Sequence, residues 1–180
     1  EQFRLRTAVT VRSVPSEQDA PKEIDRFHCN QLFSGIDRNL YALVHHVSGK
    51  QSITQFAQKI LKRQGNGGVI NLESGKGVQL GLHAPHTVRV IGDEYWLFDS
   101  GKMTINVYDS SWNLDRRISI AGWGRGGDIS RDFTRYFSGI SAKRRRYRDT
   151  SENETGNLLQ ILSVATGQCL GEIPIPRIEQ

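Results

Sequence analysis

The chain has 180 residues, of which 37% are hydrophobic and 24% are charged, and its formal net charge at pH 7 is +5. This composition excludes a mainly disordered chain, and no apolar run approaches the roughly 18 residues that a membrane-spanning helix needs. The first residues lack the charged-then-apolar order of a signal peptide and the cysteines form no disulfide pattern, which together favour a cytoplasmic location. Because no initiator Met is present, we expect the chain to begin inside a longer gene product.

The positive charge is concentrated in one segment. The stretch "SAKRRRYR", residues 141–148, carries five positive charges, and the rest of the chain is close to neutral. Neither an aromatic platform nor a recognised nucleic-acid-binding module surrounds it, so we interpret it as a solvated loop and predict no nucleic-acid partner. The two cysteines, Cys29 and Cys169, are far apart in the chain, and we expect both to be buried thiols.

In chain order, the first 24 residues join an apolar alternation, "FRLRTAVTV", to a loop-like stretch, "PSEQDAP". Helical periodicity occurs in one segment, residues 52–64, where the apolar residues fall on one face. That helix is predicted to begin at a capping Ser52 and to end before Gly65. Its apolar face would consist of Ile53, Phe56, Ile60 and Leu61.

Elsewhere the apolar residues alternate with a period of two, as in β-strands. Three segments, "NLYALVHH", "EYWLFDSG" and "TRYFSGIS", each follow a turn-rich stretch, and each is followed by a pair of alternating segments typical of a hairpin. The unit of four strands occurs three times at a spacing of about 40 to 55 residues, a pattern typical of a β-propeller.

We therefore predict an all-β chain of about three four-stranded propeller blades, with one short helix inserted. The blades would span about residues 25–82, 83–121 and 122–176, and residues 1–24 would be the end of a preceding blade or a linker. Because a propeller closes with about four to eight blades, three blades form part of a ring that further blades or a partner chain would complete. A β-sandwich is the main alternative, and the threefold recurrence argues against it.

Several motifs occur in a fixed order: "DRFHCN" (25–30), "GLHAPHTVRVIGDEYWLFDSG" (81–101), "GWGRGGDIS" (122–130) and the closing "SVATGQCLGEIPIPRIEQ". Over about residues 25–180 they resemble a family of conserved hypothetical β-propeller proteins related to the DUF4915 domain. The chain departs from the family pattern at Phe27 and Cys29, at Thr87, and at Trp123 with Gly124. The resemblance implies a propeller fold and a longer protein, and it implies no established reaction.

The first strand of each propeller blade lines the central channel. The three predicted first strands begin at "FHCNQLF", "PHTVRV" and "RGGDIS", which places His28, His86 and Arg125 in corresponding positions. Asn30 lies two residues after His28 and so shares its side of the strand, and Asp128 follows Arg125. We predict that these five residues converge at one channel mouth.

Two chemistries suit such a set. Two histidines with an oxygen ligand can hold a divalent metal, which makes His28 and His86 the candidate metal-binding and catalytic residues. A histidine facing Arg125 would instead bind a carboxylate, sulfate or phosphate. The alternative is structural, with these side chains bonded to backbone carbonyls at blade junctions. No H-E-x-x-H, G-x-S-x-G, P-loop or Rossmann pattern is present.

Three functions follow from these alternatives. The first is a module that binds a small anionic or sugar-like ligand, the second is a metal-dependent hydrolase or lyase, and the third is a protein-interaction scaffold. Whether the protein is an enzyme is left open by the sequence.

Residues beyond this set receive structural interpretations. His45 and His46 are predicted to form a solvated turn, Asp99 is predicted to close an Asx turn with Ser100, and His83 is assigned to an inter-blade loop. We expect the tryptophans to pack between blades: Trp96, Trp112 and Trp123.

Overall fold

The computed structural model of the chain describes residues 27–48, 65–141 and 156–176. These residues form twelve β-strands and one turn of 3-10 helix at Ser100–Lys102, arranged in three four-stranded antiparallel sheets. The predicted all-β architecture of three four-stranded units is confirmed. The helix predicted at residues 52–64, the predicted end of a preceding blade at residues 1–24 and most of the basic segment lie outside the described residues. Within the described ranges, no helix has the length and apolarity required to cross a membrane.

The first sheet is a meander whose consecutive strands pair antiparallel. Its hairpin turns are closed by short polar side chains, since Asp37 accepts a hydrogen bond from the Asn39 backbone N–H at 3.1 Å and Asn71 accepts one from the Ser74 backbone N–H at 2.9 Å. The strands are β1 (Cys29–Ser34), β2 (Leu40–Val44), β3 (Gly67–Asn71) and β4 (Gly77–Leu82).

The second sheet repeats this plan. Gly92, with a φ of 61°, supplies the left-handed conformation that the tight first turn requires. The second turn is held by Asp109, which accepts hydrogen bonds from the backbone N–H groups of Ser111 at 2.8 Å and Asn113 at 2.9 Å. The strands are β5 (Pro85–Ile91), β6 (Glu94–Asp99), β7 (Thr104–Tyr108) and β8 (Leu114–Ser119).

The third sheet has the same order of strands. Asp132 holds its first turn by accepting hydrogen bonds from the Ser130 hydroxyl at 2.5 Å and the Thr134 backbone N–H at 3.2 Å. The strands are β9 (Trp123–Ile129), β10 (Arg135–Ser141), β11 (Leu158–Ser163) and β12 (Cys169–Pro174).

The three sheets stack face to face as consecutive propeller blades, and we call them blade 1, blade 2 and blade 3 in chain order. One buried apolar cluster joins blade 1 to blade 2, and a second joins blade 2 to blade 3. The first strands are neighbours, since β5 contacts both β1 and β9. Side chains tie them together: Gln31 Nε2 donates to the Val88 carbonyl at 3.2 Å, and Thr87 Oγ1 donates to the Arg125 carbonyl at 3.0 Å.

The tryptophans were predicted to pack between blades and the cysteines to be buried, and these two predictions have different outcomes. Trp96 belongs to the cluster between blades 2 and 3, and Trp112 packs against the cluster between blades 1 and 2, as predicted for blade-packing residues. The prediction of buried thiols is wrong, because Cys29 and Cys169 are both exposed. Cys29 begins a first strand and Cys169 begins the outermost strand of blade 3, two positions that blade stacking does not cover.

Candidate functional site

The candidate site lies at the end of the sheets where the first strands begin, and it is built around a row of aromatic rings. The His28 ring centroid is 4.4 Å from that of His45, and the His45 centroid is 5.9 Å from that of His86. The His86 centroid lies 6.3 Å from that of Trp123 in blade 3. The row therefore crosses all three blades at one end, which we call the mouth.

Asn30 joins blade 1 to blade 2 at the mouth. Its Nδ2 lies 3.4 Å from His86 Nδ1 and also donates a hydrogen bond to the Pro85 carbonyl. Since His28 and His86 both contact the ring of His45, the structure brings these three predicted residues, His28, Asn30 and His86, into one group.

Arg125 extends this group into blade 3. Its guanidinium carbon lies 5.7 Å from the centroid of the Trp123 ring. The same Trp123 ring also lies beside the ring of His86. Arg125 Nε donates a hydrogen bond to Ser141 Oγ at 3.2 Å. The Arg125 side chain is exposed, and a cation is therefore displayed at the blade 3 end of the ring row.

Each first strand has a β-bulge near its start, and the bulges explain how these side chains are aimed. The pairing registers skip one residue in each strand, which leaves Asn30, Thr87 and Arg125 as the extra residues. A bulge bends its strand and re-aims the local side chains, and bulges are over-represented beside active sites. The glycine-rich stretch "GWGRGGD" was a signal for the bulge at Arg125.

The bulges also change the predicted register between blades. We expected His28 to correspond to His86 and Arg125, but His28 precedes β1, and Asn30 is the residue that occupies the bulge equivalent to Arg125. In blade 1 the residue after the Cys29–Val44 pair, Asn30, has no partner in the register. In blade 3 the residue after the Gly124–Ile140 pair, Arg125, is skipped in the same way, so Asn30 and Arg125 are equivalent.

Asp128 does not join the group at the mouth. Its carboxylate lies 3.6 Å from Arg89 Nε, and it also accepts a hydrogen bond from the Ile129 backbone N–H at 2.9 Å. Asp128 follows Arg125 by three residues, which is about 10 Å along an extended strand. The structure thus places Asp128 deeper along the first strands, in an exposed pair with Arg89.

The histidines after β2 are more enclosed than predicted. We expected a solvated turn, but His46 is buried and His45 is half-buried. The reason is that the chain after β2 folds against the chain before β1, where the backbone N–H of His45 donates to the Phe27 carbonyl at 3.0 Å. The predicted solvent exposure is therefore wrong, and His45 joins the candidate residues at the mouth. Its position directly after the second strand, at the mouth end, was the available signal.

Asp99 connects blade 2 to the segment between blades 1 and 2. The side chain is buried and makes no capping hydrogen bond to the 3-10 turn that follows. Its Oδ1 accepts a hydrogen bond from the His83 backbone N–H at 2.8 Å, and His83 lies in the inter-blade segment as expected. Burial raises the pKa of Asp99 from 3.8 to about 6, although the hydrogen bond from His83 acts in the opposite direction.

Ser100 makes a second link of this kind. Its buried hydroxyl donates to the Gly124 carbonyl at 2.6 Å and so joins blade 2 to blade 3 beside Arg125. The backbone N–H of Gly101 donates to the His83 carbonyl at 2.7 Å. Buried polar links at this end of the sheets therefore join blade 2 both to the segment that follows blade 1 and to blade 3.

The metal hypothesis finds limited support in the described ranges. There, no group of three or more His, Cys, Asp or Glu side chains is arranged to hold a metal ion. His28 and His86 share His45 as a neighbour, and this trio of imidazoles does not form such a group.

A concavity of about 960 Å³ lies at the opposite end of the sheets, which we call the rim. It is formed by the hairpin turns of blades 2 and 3 and contains none of the predicted site residues. Three of its acidic residues are engaged in the fold, since Glu94 and Asp115 each form an ion pair with Arg116 at 2.6 Å and Asp109 closes a turn. Four carboxylates line it: Asp93, Glu94, Asp109 and Asp115.

No family model matches the chain, and no curated protein matches it. Among solved structures, the chain is similar to the hydrazine synthase of Kuenenia stuttgartiensis, with 14% sequence identity and a TM-score of 0.47. The match covers 80% of this chain and 36% of that chain, so this chain spans about a third of the length of that protein. A similarity of this degree assigns no activity to the chain.

Proposed function

We propose that the protein is a β-propeller module that binds a small anionic ligand at the mouth. The observation that carries the proposal is the exposed guanidinium of Arg125 at the end of a row of imidazoles that crosses three blades. The proposed ligand-binding residues are His28, Asn30, His45, His86 and Arg125.

The chemistry of the group favours an anion. Guanidinium, imidazole and amide groups all carry N–H donors, and a carboxylate, sulfate or phosphate accepts several such hydrogen bonds at once. Arg125 occupies a β-bulge whose neighbours, Gly124 and Gly126, carry no side chains that compete for space beside the guanidinium. A bidentate interaction with a planar or tetrahedral anion is the recognition mode that arginine serves best.

A sugar-like ligand is supported only if it carries an acidic group. Sugar-binding sites commonly stack a ring on an exposed aromatic face, but Trp123, the tryptophan at the mouth, is buried. An acidic sugar would use the same donors as any other small anion. We therefore place anionic ligands ahead of neutral sugars.

The alternatives have less support from the described residues. A metal-dependent hydrolase or lyase that uses His28 and His86 requires a third ligand group, and the described ranges supply no such cluster. A protein-interaction scaffold would use the outer surfaces of the blades and would not need the ring row. Neither alternative accounts for Arg125 and the histidines at one end of adjacent strands.

In a complete ring, the mouth would include the first strands of further blades. We propose that the described residues form one arc of the site and that further blades of the same protein or a partner chain supply the rest. The ordered motifs support the further proposal that the chain is related to the conserved hypothetical propeller family.

The proposal is tested by ligand-detected NMR with inorganic phosphate, sulfate, simple carboxylates and a hexuronic acid, followed by titration of any anion that binds. We expect Arg125→Ala to weaken binding roughly tenfold to hundredfold, because a hydrogen bond to a charged group contributes about 1.5–3 kcal/mol. The matched control is Arg131→Ala, which removes an exposed arginine of the same blade at the rim end. Equal weakening by both variants, or none by Arg125→Ala, would contradict the proposal.

A further inference from the structure

Two buried hydroxyl groups between blade 2 and blade 3 have no hydrogen-bond partner among the described residues. They belong to Tyr136 and Ser138, whose side chains are both fully buried. The two residues are two positions apart on β10, so they lie on the same face of the sheet. Tyr136 and Ile140, on either side of Ser138, belong to the apolar cluster between these blades, so both hydroxyls lie inside that contact.

The two hydroxyls are brought close together at Gly127. A Cβ added at Gly127 would collide with the hydroxyl oxygen of Tyr136, so the phenol lies directly over this glycine. Gly127 pairs with Ser138, and directly opposed residues of antiparallel strands share a face, with Cβ positions about 4.5–5.5 Å apart. One water molecule, with a hydrogen bond of about 2.8 Å on either side, therefore has the reach to contact both oxygens.

The equivalent place in blade 2 is filled by aliphatic side chains. There Val88 pairs with Leu97, as Gly127 pairs with Ser138 in blade 3. Val88 is 2% exposed and Leu97 is 0% exposed, both packed in the cluster between blades 1 and 2. The glycine and the serine of blade 3 contribute much less side-chain volume, and the phenol of Tyr136 occupies part of the difference.

The tyrosines of the two blades also differ in how their hydroxyls are paired. Tyr95 is the counterpart of Tyr136, since it pairs with Val90 as Tyr136 pairs with Ile129. The Tyr95 hydroxyl accepts a hydrogen bond from the Ile36 backbone N–H of blade 1 at 2.8 Å. A buried hydroxyl that is left unpaired lowers stability, and buried polar groups without a protein partner are commonly paired with ordered water.

The surroundings of the two hydroxyls suit a water molecule. Burial raises the pKa of Tyr136, so the phenol stays protonated and, like the Ser138 hydroxyl, can both donate and accept. Beside them, Arg89 Nε donates a hydrogen bond from blade 2 to the Gly127 carbonyl at 2.8 Å. The Arg89 side chain is 42% exposed, so the buried pair lies next to a place that water reaches.

We propose that Tyr136 and Ser138 bind one ordered water molecule between blade 2 and blade 3. The water bridges the two hydroxyls and so forms a polar link inside an otherwise apolar contact. None of the residues proposed to bind an anion at the mouth takes part, so the water site does not depend on that proposal.

Oxygen-17 magnetic relaxation dispersion, which detects long-lived buried water molecules, tests the proposal on the complete 180-residue chain. We expect the double variant Tyr136→Phe with Ser138→Ala to hold one long-lived water fewer than the unchanged chain. The matched control is Tyr95→Phe, which removes the hydroxyl that has a protein partner and should leave the number of such waters unchanged. An unchanged number in the double variant would overturn the proposal.

Urea unfolding of the single and double variants gives an independent test, with circular dichroism to establish that each variant is folded. If a water bridges the hydroxyls, Tyr136→Phe and Ser138→Ala each lower the urea midpoint, and the double variant loses less than the sum of the two. Removal of one hydroxyl leaves the other group or the water underbonded, whereas removal of both does not. If the hydroxyls are unpaired, each substitution raises the midpoint, and that result would contradict a bound water.

Discussion

The two ends of the blades hold their polar side chains in different ways. At the rim, Asp109 and Asp132 accept hydrogen bonds from residues no more than four positions away, and each carboxylate closes its own turn. At the mouth, Asn30, Asp99 and Ser100 contact residues 56, 16 and 24 positions away, in another blade or in the segment between blades. These two carboxylates are thus explained by local turn geometry, unlike Glu94, whose partner Arg116 lies 22 positions away, and the mouth depends on how the blades stack.

This difference supports the proposal that a ligand binds at the mouth and not at the rim turns. A side chain that closes its own turn needs no ligand to explain its presence. The mouth residues belong to three separate blades and meet only because β1, β5 and β9 are neighbours. Convergence of donors from separate elements is the usual way in which a fold builds a binding site.

The largest expected effect concerns Asp99, for which Asp99→Asn removes the charge and keeps an oxygen to accept the His83 N–H. The pKa of Asp99 is about 6 in the folded chain, above the ordinary value of 3.8 that applies to the unfolded chain. The stability contributed by protonated Asp99 is therefore fully present below about pH 3.8 and is lost as the pH rises through 6. Relative to the unchanged chain, Asp99→Asn should therefore gain stability between these pH values, by up to about 3 kcal/mol. Urea unfolding of both proteins at several pH values measures the gain, and parallel pH profiles would contradict it.

The second prediction compares two serines at the two ends. Ser100→Ala removes the buried hydroxyl that donates to the Gly124 carbonyl, and we expect it to lower the free energy of unfolding by about 1–3 kcal/mol. Ser130→Ala removes an exposed hydroxyl from a rim turn, where water can replace the lost hydrogen bond to Asp132, so its effect should be smaller. Urea unfolding at one pH measures both. Equal losses would show that the mouth and the rim do not differ in this respect.

The smallest expected effect concerns Asp132 at the rim and has the opposite pH sign to that of Asp99. Hydrogen bonds, first from the Ser130 hydroxyl and then from the Thr134 backbone, lower the pKa of Asp132 from 3.8 to about 2. Its contribution to stability is therefore present above about pH 3.8 and is lost as the pH falls through 2. In thermal melts between about pH 2 and pH 5, the melting temperature of Asp132→Asn should therefore fall slightly less on acidification than that of the unchanged protein. A loss that matches that of the unchanged protein would show that the turn does not hold the carboxylate.

Much of the blade architecture could be predicted from short stretches of sequence. The continuous apolar run in "EYWLFD" is typical of a strand that is buried on both sides, and Gly92 with Asp93 predicts the tight turn before it. These signals act over a few residues, because backbone preferences and Asx hydrogen bonds are local. The threefold recurrence of such units then indicated a propeller.

The composition of the mouth was predicted less completely. The sequence indicated which ends of the strands meet, and so selected His28, Asn30, His86 and Arg125. It did not reveal the bulges that make Asn30 the equivalent of Arg125, nor the enclosure of His45 and His46. It also grouped Asp128 with the mouth, although the tertiary structure pairs that carboxylate with Arg89.

By itself, the sequence determined where strands and turns form and that the strands recur in units of four. The tertiary structure decided which side chains meet between blades, that both thiols are exposed, and that His45 and His46 are enclosed. The physical reason is the range of the interactions. A turn depends on backbone conformation and hydrogen bonds within a few residues, whereas a contact between blades depends on packing, where one skipped residue in a register changes which side chains meet.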